Sequence, residues 1–371
     1  MGKLMIGRAE TRALIKKVVL IGFPYTNKDD TGRGIDRYLA IVHKSFVEHG
    51  INLKIIENGL VRPKLVQFLK SFLKVLIALW KSEGDLYHAV DPLGSVVAAL
   101  AQKRNIVTTI HDTIPIDGKV KMFNPFVFLL MKLSMLVSLN ISKEIIVPFS
   151  STKDTLIKNF NVPDKKITVI HYALDLNLKP AVKLNDSQKV NYNNIKIVFM
   201  GGGSPNDRGL EIVLRSYILL VKDFSSASLT IVARKENISD ENWKLLNYAK
   251  FGHITTLDFI PEPKLLSFLK EFSVFVYPSR LGFSFLVMQA IAAGLPVVTS
   301  STRDMKDFLG DTAIMCDNDE IGCYLEALVK LTDRDFRTNI IKKQYERLQL
   351  FTLNHFYSEM CEFYSRSMCE D

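Results

Sequence analysis

The sequence predicts an α/β protein built from two doubly wound, parallel-sheet domains. The chain has 371 residues, a length that suits two domains with full-sized cores. Short apolar strand patterns alternate with helical patterns, as βαβ units require. After a polar stretch at 175–194 the same alternation begins again. We therefore expect two Rossmann-like domains facing each other across a cleft, with ligands at the carboxyl ends of both sheets.

The first predicted domain covers residues 1–178. Its apolar run Lys17–Phe23 is typical of a buried parallel strand, and a glycine-containing loop and a helix over 35–49 follow. Gly50 is placed to end that helix. Further strands are predicted at Asn52–Glu57, Asp85–Val90, Ile106–Ile110, Glu144–Val147 and Lys166–His171.

A linker over 179–194 precedes the second predicted domain, residues 195–350. The strand Ile195–Met200 runs into three glycines, and a helix over 208–223 follows. Further strands are predicted at Leu229–Ala233, Thr256–Ile260, Val274–Tyr277, Pro296–Thr299 and Ala313–Cys316. The chain ends in helical patterns, and we expect the helix over 351–371 to pack back on the first domain.

Composition excludes several protein classes. With 47% hydrophobic and 23% charged residues the chain is not disordered. Its four cysteines are too few for a disulfide scaffold, and none forms a CxxC pair that would indicate structural zinc. We therefore expect free thiols in a reducing cytoplasm.

The net charge of +9 is concentrated in the first half of the sequence. Residues 1–180 hold 26 Lys and Arg against 15 Asp and Glu, whereas residues 181–371 hold 22 against 24. This asymmetry indicates an anionic partner for the first half: a membrane surface, a nucleic acid or a phosphorylated ligand.

The sequence predicts neither a signal peptide nor a spanning helix, because no apolar stretch is long enough. The apolar segment Leu65–Trp80 has two interpretations. It is a helix packed inside a domain, or it lies on an anionic membrane with its lysines toward the headgroups. The lysines concerned are Lys64, Lys70, Lys74 and Lys81, and the polar stripe also includes Gln67 and Ser71. We expect a cytoplasmic protein that is peripheral on the inner face of the cell membrane.

The most informative stretch is 277–300, YPSRLGFSFLVMQAIAAGLPVVTS. A strand ends at Pro278, a turn containing Gly282 follows, and a helix begins near Phe283. Free backbone N–H groups at such a helix start can hold a phosphate. The stretch resembles the nucleotide-sugar signature of the family-4 retaining glycosyltransferases of the GT-B fold.

Other segments resemble that family in the same order along the chain. They are Gly32–Tyr38, Thr109–Asp112 with Pro115, Val147–Leu156, Ile170–Asp175, Gly201–Gly209, Asp258–Ser279 and Gly310–Asp317. The resemblance implies a hexosyltransferase-type enzyme. Its nucleotide-diphosphate sugar donor would bind mainly to the second domain, and a glycan or polyprenol-linked acceptor to the first. It also implies retention of anomeric configuration, with no metal and no other cofactor.

The resemblance assigns roles to individual positions. His111 would bond the transferred sugar and the leaving phosphate, and Arg208 would neutralise the diphosphate. Donor binding would fall to Gly201, Gly202, Gly203, Arg208, Gly282, Phe283, Ser284 and Gln289. Gly32, Gly34 and Arg37 would form an acceptor or diphosphate loop. Arg280 is a further candidate for positive charge at the donor site.

Two departures from the family pattern leave alternatives open. The family's two carboxylates fall here on Leu281 and Gln289. Gln289 can still bond a ribose hydroxyl, whereas Leu281 cannot replace a carboxylate. A catalytically weak or inactive partner subunit is therefore the main alternative. Nucleic-acid binding is a further alternative, but the sequence lacks the interleaved aromatic and basic residues of an RNA-binding module. A sugar-nucleotide epimerase of the same fold is another, but it would need a carboxylate for which the sequence offers no position.

Overall fold

The computed structural model describes residues 17–23, 34–57, 65–113, 116, 125–175, 194–201, 209–249, 253–280, 282–317 and 319–369. These residues fall into two compact units. Unit 1 comprises residues 1–175 and 352–371, and unit 2 comprises residues 176–351. In the described part of each unit the strands form one six-stranded sheet, and every strand pair is parallel. The predicted α/β architecture is confirmed.

The sheet of unit 1 has the order β2-β1-β3-β4-β5-β6. Its strands are β1 (Val18–Gly22), β2 (Lys54–Glu57), β3 (Leu86–Ala89), β4 (Ile106–Thr109), β5 (Glu144–Val147) and β6 (Ile167–Val169). Its first helices are α1 (Gly34–Val47), α2 (Leu65–Trp80), α3 (Pro92–Leu100), α4 (Pro125–Ile141) and α5 (Ser150–Phe160). The strand order reverses between β1 and β3, which creates a topological switch point there.

The sheet of unit 2 has the order β12-β11-β10-β7-β8-β9. Its strands are β7 (Lys196–Met200), β8 (Ser228–Val232), β9 (His253–Leu257), β10 (Val274–Tyr277), β11 (Val297–Ser300) and β12 (Ile314–Cys316). Its helices are α6 (Leu210–Leu220), α7 (Asp240–Tyr248), α8 (Glu262–Leu269), α9 (Phe285–Ala292), α10 (Arg303–Leu309), α11 (Ile321–Lys330) and α12 (Arg334–Leu348). This is the strand order of dinucleotide-binding folds, and it places the switch point between β7 and β10.

The inner strands were predictable because they are buried on both faces. Every residue of β1, β3, β4 and β5 is buried, and such strands give continuous apolar runs. The prediction for β9 is wrong by three residues. β9 is an edge strand without one fully buried residue, so the apolar run at 259–260 beyond its end misplaced the predicted segment.

The C-terminal helix α13 (Leu353–Cys369) packs against α1 and β3 of unit 1. Its net negative charge therefore belongs to the first unit. Unit 1 holds 26 basic and 19 acidic residues, and unit 2 holds 22 and 20. The charge contrast expected from the two halves of the sequence is thus reduced, and the second unit is not acidic.

The expectation of free thiols is wrong for two of the four cysteines. Cys316 at the end of β12 and Cys323 in α11 form a disulfide, with 5.7 Å between their Cα atoms. That separation lies within the range of about 4.4–6.8 Å that a disulfide spans. No motif predicts the pair, since it depends on how α11 folds back beside β12. Cys361 is a free, partly buried thiol.

Candidate functional site

Of the predicted donor-site residues that the structure describes in unit 2, Gly201 follows β7, Gly282, Phe283 and Ser284 lie between β10 and α9, and Gln289 lies in α9. Gly201 follows β7 directly, and its N–H donates to the Val232 carbonyl at 3.0 Å. Gly209 stands immediately before α6, beside the end of β10. Gly202, Gly203 and Arg208 lie outside the described residues. Gly201 and Gly209, which border the predicted glycine loop, stand beside the switch point of the sheet, and ligand binding there stays a prediction.

Gly209 allows α6 to begin in direct contact with the turn after β10. Its φ of 77° is in the left-handed region, which glycine adopts without steric cost. A Cβ at this position would lie 2.7 Å from Cγ of Pro278, and closer still to the Pro278 carbonyl oxygen. Only glycine fits here, because carbon atoms in contact are about 3.5–4.0 Å apart.

Gly282 serves the same purpose in the turn that leads into α9. Its φ is 83°, and a Cβ would lie 3.1 Å from Cγ of Asp304, with a carboxylate oxygen nearer still. The backbone at Gly282 therefore lies in close contact with the first helical turn of α10. Asp304 was not predicted, since it lies on another element and belongs to none of the motifs that carry the resemblance.

The start of α9 already satisfies part of its own backbone. Ser284 is the N-cap, and its Oγ accepts from the Leu286 N–H at 3.2 Å. The Val287 N–H donates to the Ser284 carbonyl at 3.0 Å. The Phe283 ring packs edge-on against Phe308, with ring centroids 5.1 Å apart. The phosphate cradle at 282–284 stays a prediction, and its free donors are fewer than the sequence suggests.

Gln289 is paired with a carboxylate. Its Nε2 donates to Oε1 of Glu262 at 2.6 Å. Its own Oε1 is buried and has no hydrogen-bond partner among the described residues. A buried amide oxygen without a partner is costly, and a hydroxyl is a donor that would satisfy it. Glu262 begins α8 and lies 27 positions earlier in the chain, so the pairing has no local sequence signal.

In unit 1, His111 follows β4 and both of its ring nitrogens have partners. Nε2 lies 2.8 Å from the Val90 carbonyl, to which it donates. Nδ1 lies 2.9 Å from the hydroxyl of Tyr172 and accepts from it. The Val90 contact fixes the tautomer. Burial lowers the pKa of His111 to about 4, so the ring is neutral at pH 7.

A buried polar network lies behind His111. The Thr109 hydroxyl lies 3.1 Å from that of Tyr38 and 2.8 Å from Nε2 of His88. Nδ1 of His88 lies 2.6 Å from the Tyr364 hydroxyl on α13. Burial lowers the pKa of His88 to about 3 and raises that of Tyr38. The Tyr38 ring meets the His111 ring edge-on at 4.9 Å, so the network holds the imidazole from behind.

Comparison with known proteins decides the family. A model of "Glycosyltransferase Family 4" matches residues 32–178, and a model of "Glycosyl transferases group 1" matches residues 194–334. Together they cover more than three quarters of the chain, one match in each unit. The chain belongs to the family-4 glycosyltransferases of the GT-B fold.

Solved structures show the same fold as this family-4 glycosyltransferase. Sucrose-phosphate synthase of Thermosynechococcus elongatus is 16% identical with a TM-score of 0.72, and the match covers 94% of this chain and 98% of that one. HepE of Anabaena, solved with UDP and glucose, is 15% identical with a TM-score of 0.72, and covers 94% and 100%. At these identities the likeness concerns the fold alone.

Curated relatives match a shorter part of the chain. O-antigen chain mannosyltransferase B of Escherichia coli is 27% identical over 217 residues, which are 56% of each protein. An uncharacterized glycosyltransferase of Methanocaldococcus jannaschii is 24% identical over 176 residues, 45% of each. This glycosyltransferase thus spans about half the length of the curated relatives it matches.

The remaining predicted site residues of this glycosyltransferase are placed as follows. Gly34 begins α1 and Arg37 lies in its first turn, partly buried. Gly32 and Leu281 lie outside the described residues. Arg280 forms an exposed ion pair with Asp319 at 2.6 Å, so its charge is already partly balanced by a neighbouring carboxylate.

Asp91 is a further residue that sequence reasoning missed. Its carboxylate accepts from the N–H of Gly94 at 2.8 Å, which caps α3, and from the N–H of Phe23 at 3.1 Å. Burial raises the pKa of this carboxyl. Asp91 therefore joins the ends of β1 and β3 at the switch point of unit 1. The segment Asp-Pro at 91–92 is a helix-start signal that could have identified it.

The described residues contain neither a metal-binding cluster nor a membrane-spanning helix. Within them, no group of three or more His, Cys, Asp or Glu side chains is arranged to hold a metal ion. No helix among them is both long enough and apolar enough to span a membrane.

Proposed function

We propose that this glycosyltransferase moves a hexose from a nucleotide-diphosphate sugar to a glycan or lipid-linked glycan, with retention of configuration and without a metal. The observation that carries the proposal is the switch point between β7 and β10. There, Gly201 ends one strand and Gly209 lets α6 start against Pro278. The donor class is further supported by HepE, which was solved with UDP and glucose, and by the name of the mannosyltransferase relative.

The proposed reaction requires the protein to stabilise negative charge on the departing phosphate. In a retaining transfer the anomeric C–O bond to the diphosphate breaks, and an acceptor hydroxyl oxygen forms the new bond on the same face of the sugar. The hydroxyl proton passes to the departing phosphate, on which negative charge builds as the bond breaks. Arg208 and the backbone N–H groups of the loop before α6 are the groups proposed to meet it, aided by the helix dipole. The neutral His111 ring can exchange its Tyr172 partner for a sugar hydroxyl without any change of charge.

For the nucleotide, the proposed ribose contact is the unpartnered Oε1 of Gln289. Ribose hydroxyls are donors that would satisfy it. Because Nε2 already donates to Glu262, the oxygen is the amide atom left to accept a hydroxyl. Since that oxygen is buried, the nucleotide would have to displace a neighbouring group to reach it.

The acceptor side is proposed to work at the inner face of the cell membrane, in the cytoplasm, with no role in nucleic-acid binding. Lys70, Lys74 and Lys81 are exposed, as contact with anionic headgroups requires. Lys64 lies outside the described residues.

Thermal unfolding of the purified chain tests the donor proposal. Uridine, guanosine and adenosine diphosphates and their hexose conjugates are added one at a time. A specific ligand at 100 times its Kd stabilises the fold by about 2.7 kcal/mol. One nucleotide class should raise the Tm, and Gln289→Leu should reduce that rise. If none of the three classes shifts the Tm and none of the sugars is transferred or hydrolysed, the proposal is wrong.

The second candidate function is a catalytically weak partner subunit. It is favoured by the apolar Leu281 in the place of a carboxylate. The double variant Leu281→Glu/Gln289→Glu distinguishes the two candidates. Turnover that appears only in the double variant would identify the natural chain as the inactive type, whereas turnover by the natural chain excludes it.

A further inference from the structure

Three helices on one side of unit 1 expose a large apolar surface, here called the α2–α4 face. Trp80 at the end of α2 is 72% exposed. The apolar side chains of this face that are exposed are Leu69, Leu73, Ile77 and Trp80 on α2, Leu100 on α3, and Leu129, Leu133 and Val137 on α4. Several exposed apolar side chains on neighbouring helices are typical of an interaction site.

The exposed residues form ordered stripes. On α2, Leu69, Leu73 and Ile77 recur every four residues and point outward, while Val75 and Leu79 on the opposite side are buried in the core. Ser71, predicted on the polar stripe, is buried as well. α2 is therefore apolar on both its inner and its outer side. A helix with apolar residues on two opposite sides normally has a partner on each of them.

α4 repeats the arrangement. Leu129, Leu133 and Val137 are exposed at four-residue spacing, and Met135 and Leu139 pack inward. α3 packs against both α2 and α4. The two outer stripes therefore belong to the same side of the sheet, with α3 between them.

The charges on this face have one sign. Lys70, Lys74, Lys81 and Lys132 are exposed, and neither α2 nor α4 contains an Asp or Glu. None of the four lysines forms an ion pair within the described part of the chain. Apolar stripes bordered only by lysines match an anionic bilayer, whose interior is apolar and whose headgroups are negative.

We propose that the α2–α4 face is a membrane-docking surface that inserts its apolar stripes into the headgroup boundary of an anionic bilayer. Trp80 sits at the interface, where the amphipathic indole ring is favoured, and the lysines contact lipid phosphates. The proposal deepens the peripheral location given above and adds α4 as a second anchor. Because the face belongs to the unit proposed to bind the acceptor, docking would bring that unit to a lipid-linked substrate.

Tryptophan fluorescence gives a direct readout. The chain has two tryptophans, Trp80 on this face and Trp243, which is partly buried in the core of unit 2. In the Trp243→Phe variant the emission comes from Trp80 alone. Vesicles of phosphatidylcholine with 30% phosphatidylglycerol, a composition of roughly physiological negative charge, should shift this emission to shorter wavelength. Pure phosphatidylcholine vesicles should shift it much less.

Vesicle co-sedimentation of the full chain tests the two stripes separately. Leu73→Ser/Ile77→Ser on α2 and Leu129→Ser/Leu133→Ser on α4 should each weaken binding roughly tenfold, because each pair removes apolar contact area. Lys70→Gln/Lys74→Gln should weaken binding to anionic vesicles, and the remaining binding should depend less on salt concentration. The matched controls are Leu219→Ser on α6 and Tyr248→Ala at the end of α7, which are exposed in unit 2 and should bind as the natural chain does.

Several outcomes would overturn the docking surface. The natural chain failing to bind anionic vesicles is one, and serine variants of either helix that bind normally are another. Should the serine variants instead abolish a dimer seen by sedimentation equilibrium without changing vesicle binding, the face is an interface between two copies of the chain. Nucleotide-induced Tm shifts are measured on the same variants. If the chain binds vesicles but no nucleotide shifts its Tm, the proposed function is wrong and the docking surface stands. If a nucleotide shifts the Tm but the chain does not bind vesicles, the docking surface is wrong and the proposed function stands.

Discussion

Replacing Gly209 with alanine should loosen the switch point of unit 2 more than any ordinary glycine substitution. Two costs add at this position. An L-residue at φ 77° pays about 1–2 kcal/mol for the left-handed conformation. In addition, the new Cβ would stand 2.7 Å from Cγ of Pro278, so α6 and the turn after β10 must separate by about 1 Å to restore ordinary contact.

Overpacking of this kind typically costs a further 1–3 kcal/mol. The expected total is about 2–5 kcal/mol, which for a unit of this size is a fall in Tm of roughly 5–15 °C. Differential scanning calorimetry of the full chain measures it. The same variant should weaken the nucleotide-induced stabilisation, since the separation occurs at the proposed donor site.

Gly50→Ala is the matched control. Gly50 has a φ of 73°, yet nothing lies within 4 Å of the Cβ it would gain. That variant carries the backbone cost without the contact, so it should lose only about 1–2 kcal/mol. If Gly209→Ala destabilises the chain no more than Gly50→Ala does, the close approach between α6 and Pro278 is not real and the packing argument for the switch point is wrong.

Three further predictions concern the stability of the two units. His88 and His111 have pKa values of about 3 and 4 in the folded chain, below the ordinary 6.5. The unfolded state therefore binds more protons below pH 6.5, and the free energy of unfolding, measured with urea, should fall between pH 6.5 and 5 by on the order of 2 kcal/mol per histidine. The fully buried His88 should contribute more of this loss than the partly exposed His111. Arg366→Ala should lower the free energy of unfolding by about 1–3 kcal/mol, because the buried Glu144 keeps its hydrogen bond from Ser367 but loses its ion pair. The variant should also make α13 accessible to protease, and normal protease resistance would contradict this. Reduction of the Cys316–Cys323 disulfide should lower the stability of unit 2 by about 2 kcal/mol, and alkylation of the unreduced, unfolded chain followed by mass spectrometry should leave both cysteines unmodified.

The fold was predictable from the sequence where a strand is buried on both faces of its sheet. The inner strand β1 is buried along its whole length, so a continuous apolar run identifies it. The edge strand β9 offers no such run and was misplaced. Helix α2 presents the opposite difficulty. It is apolar on both its inner and its outer side, so periodicity alone could not tell that Ser71 faces the core while Leu73 faces outward.

The candidate site was predictable only in its local parts. The glycines at 209 and 282 stand at helix starts, where short-range turn chemistry marks them. Their partners, Pro278 and Asp304, come from other elements. The buried contact between His88 and Tyr364 joins residues 276 positions apart. Such pairs depend on sheet order and on the return of the C-terminal helix, neither of which has a local sequence signal.

Position 289 departs from the family pattern in the sequence, but the fold places a carboxylate beside it. A glutamine replaces the expected carboxylate, yet a carboxylate oxygen of Glu262 lies 2.6 Å from its amide nitrogen. Negative charge is therefore still present at the contact between α8 and α9, on a different residue, and the buried amide oxygen has no hydrogen-bond partner among the described residues. Loss of a charge at one position does not establish loss of the chemistry when the fold brings an equivalent group beside it. The partner-subunit interpretation thus depends more on Leu281, which brings no polar group of its own, than on Gln289.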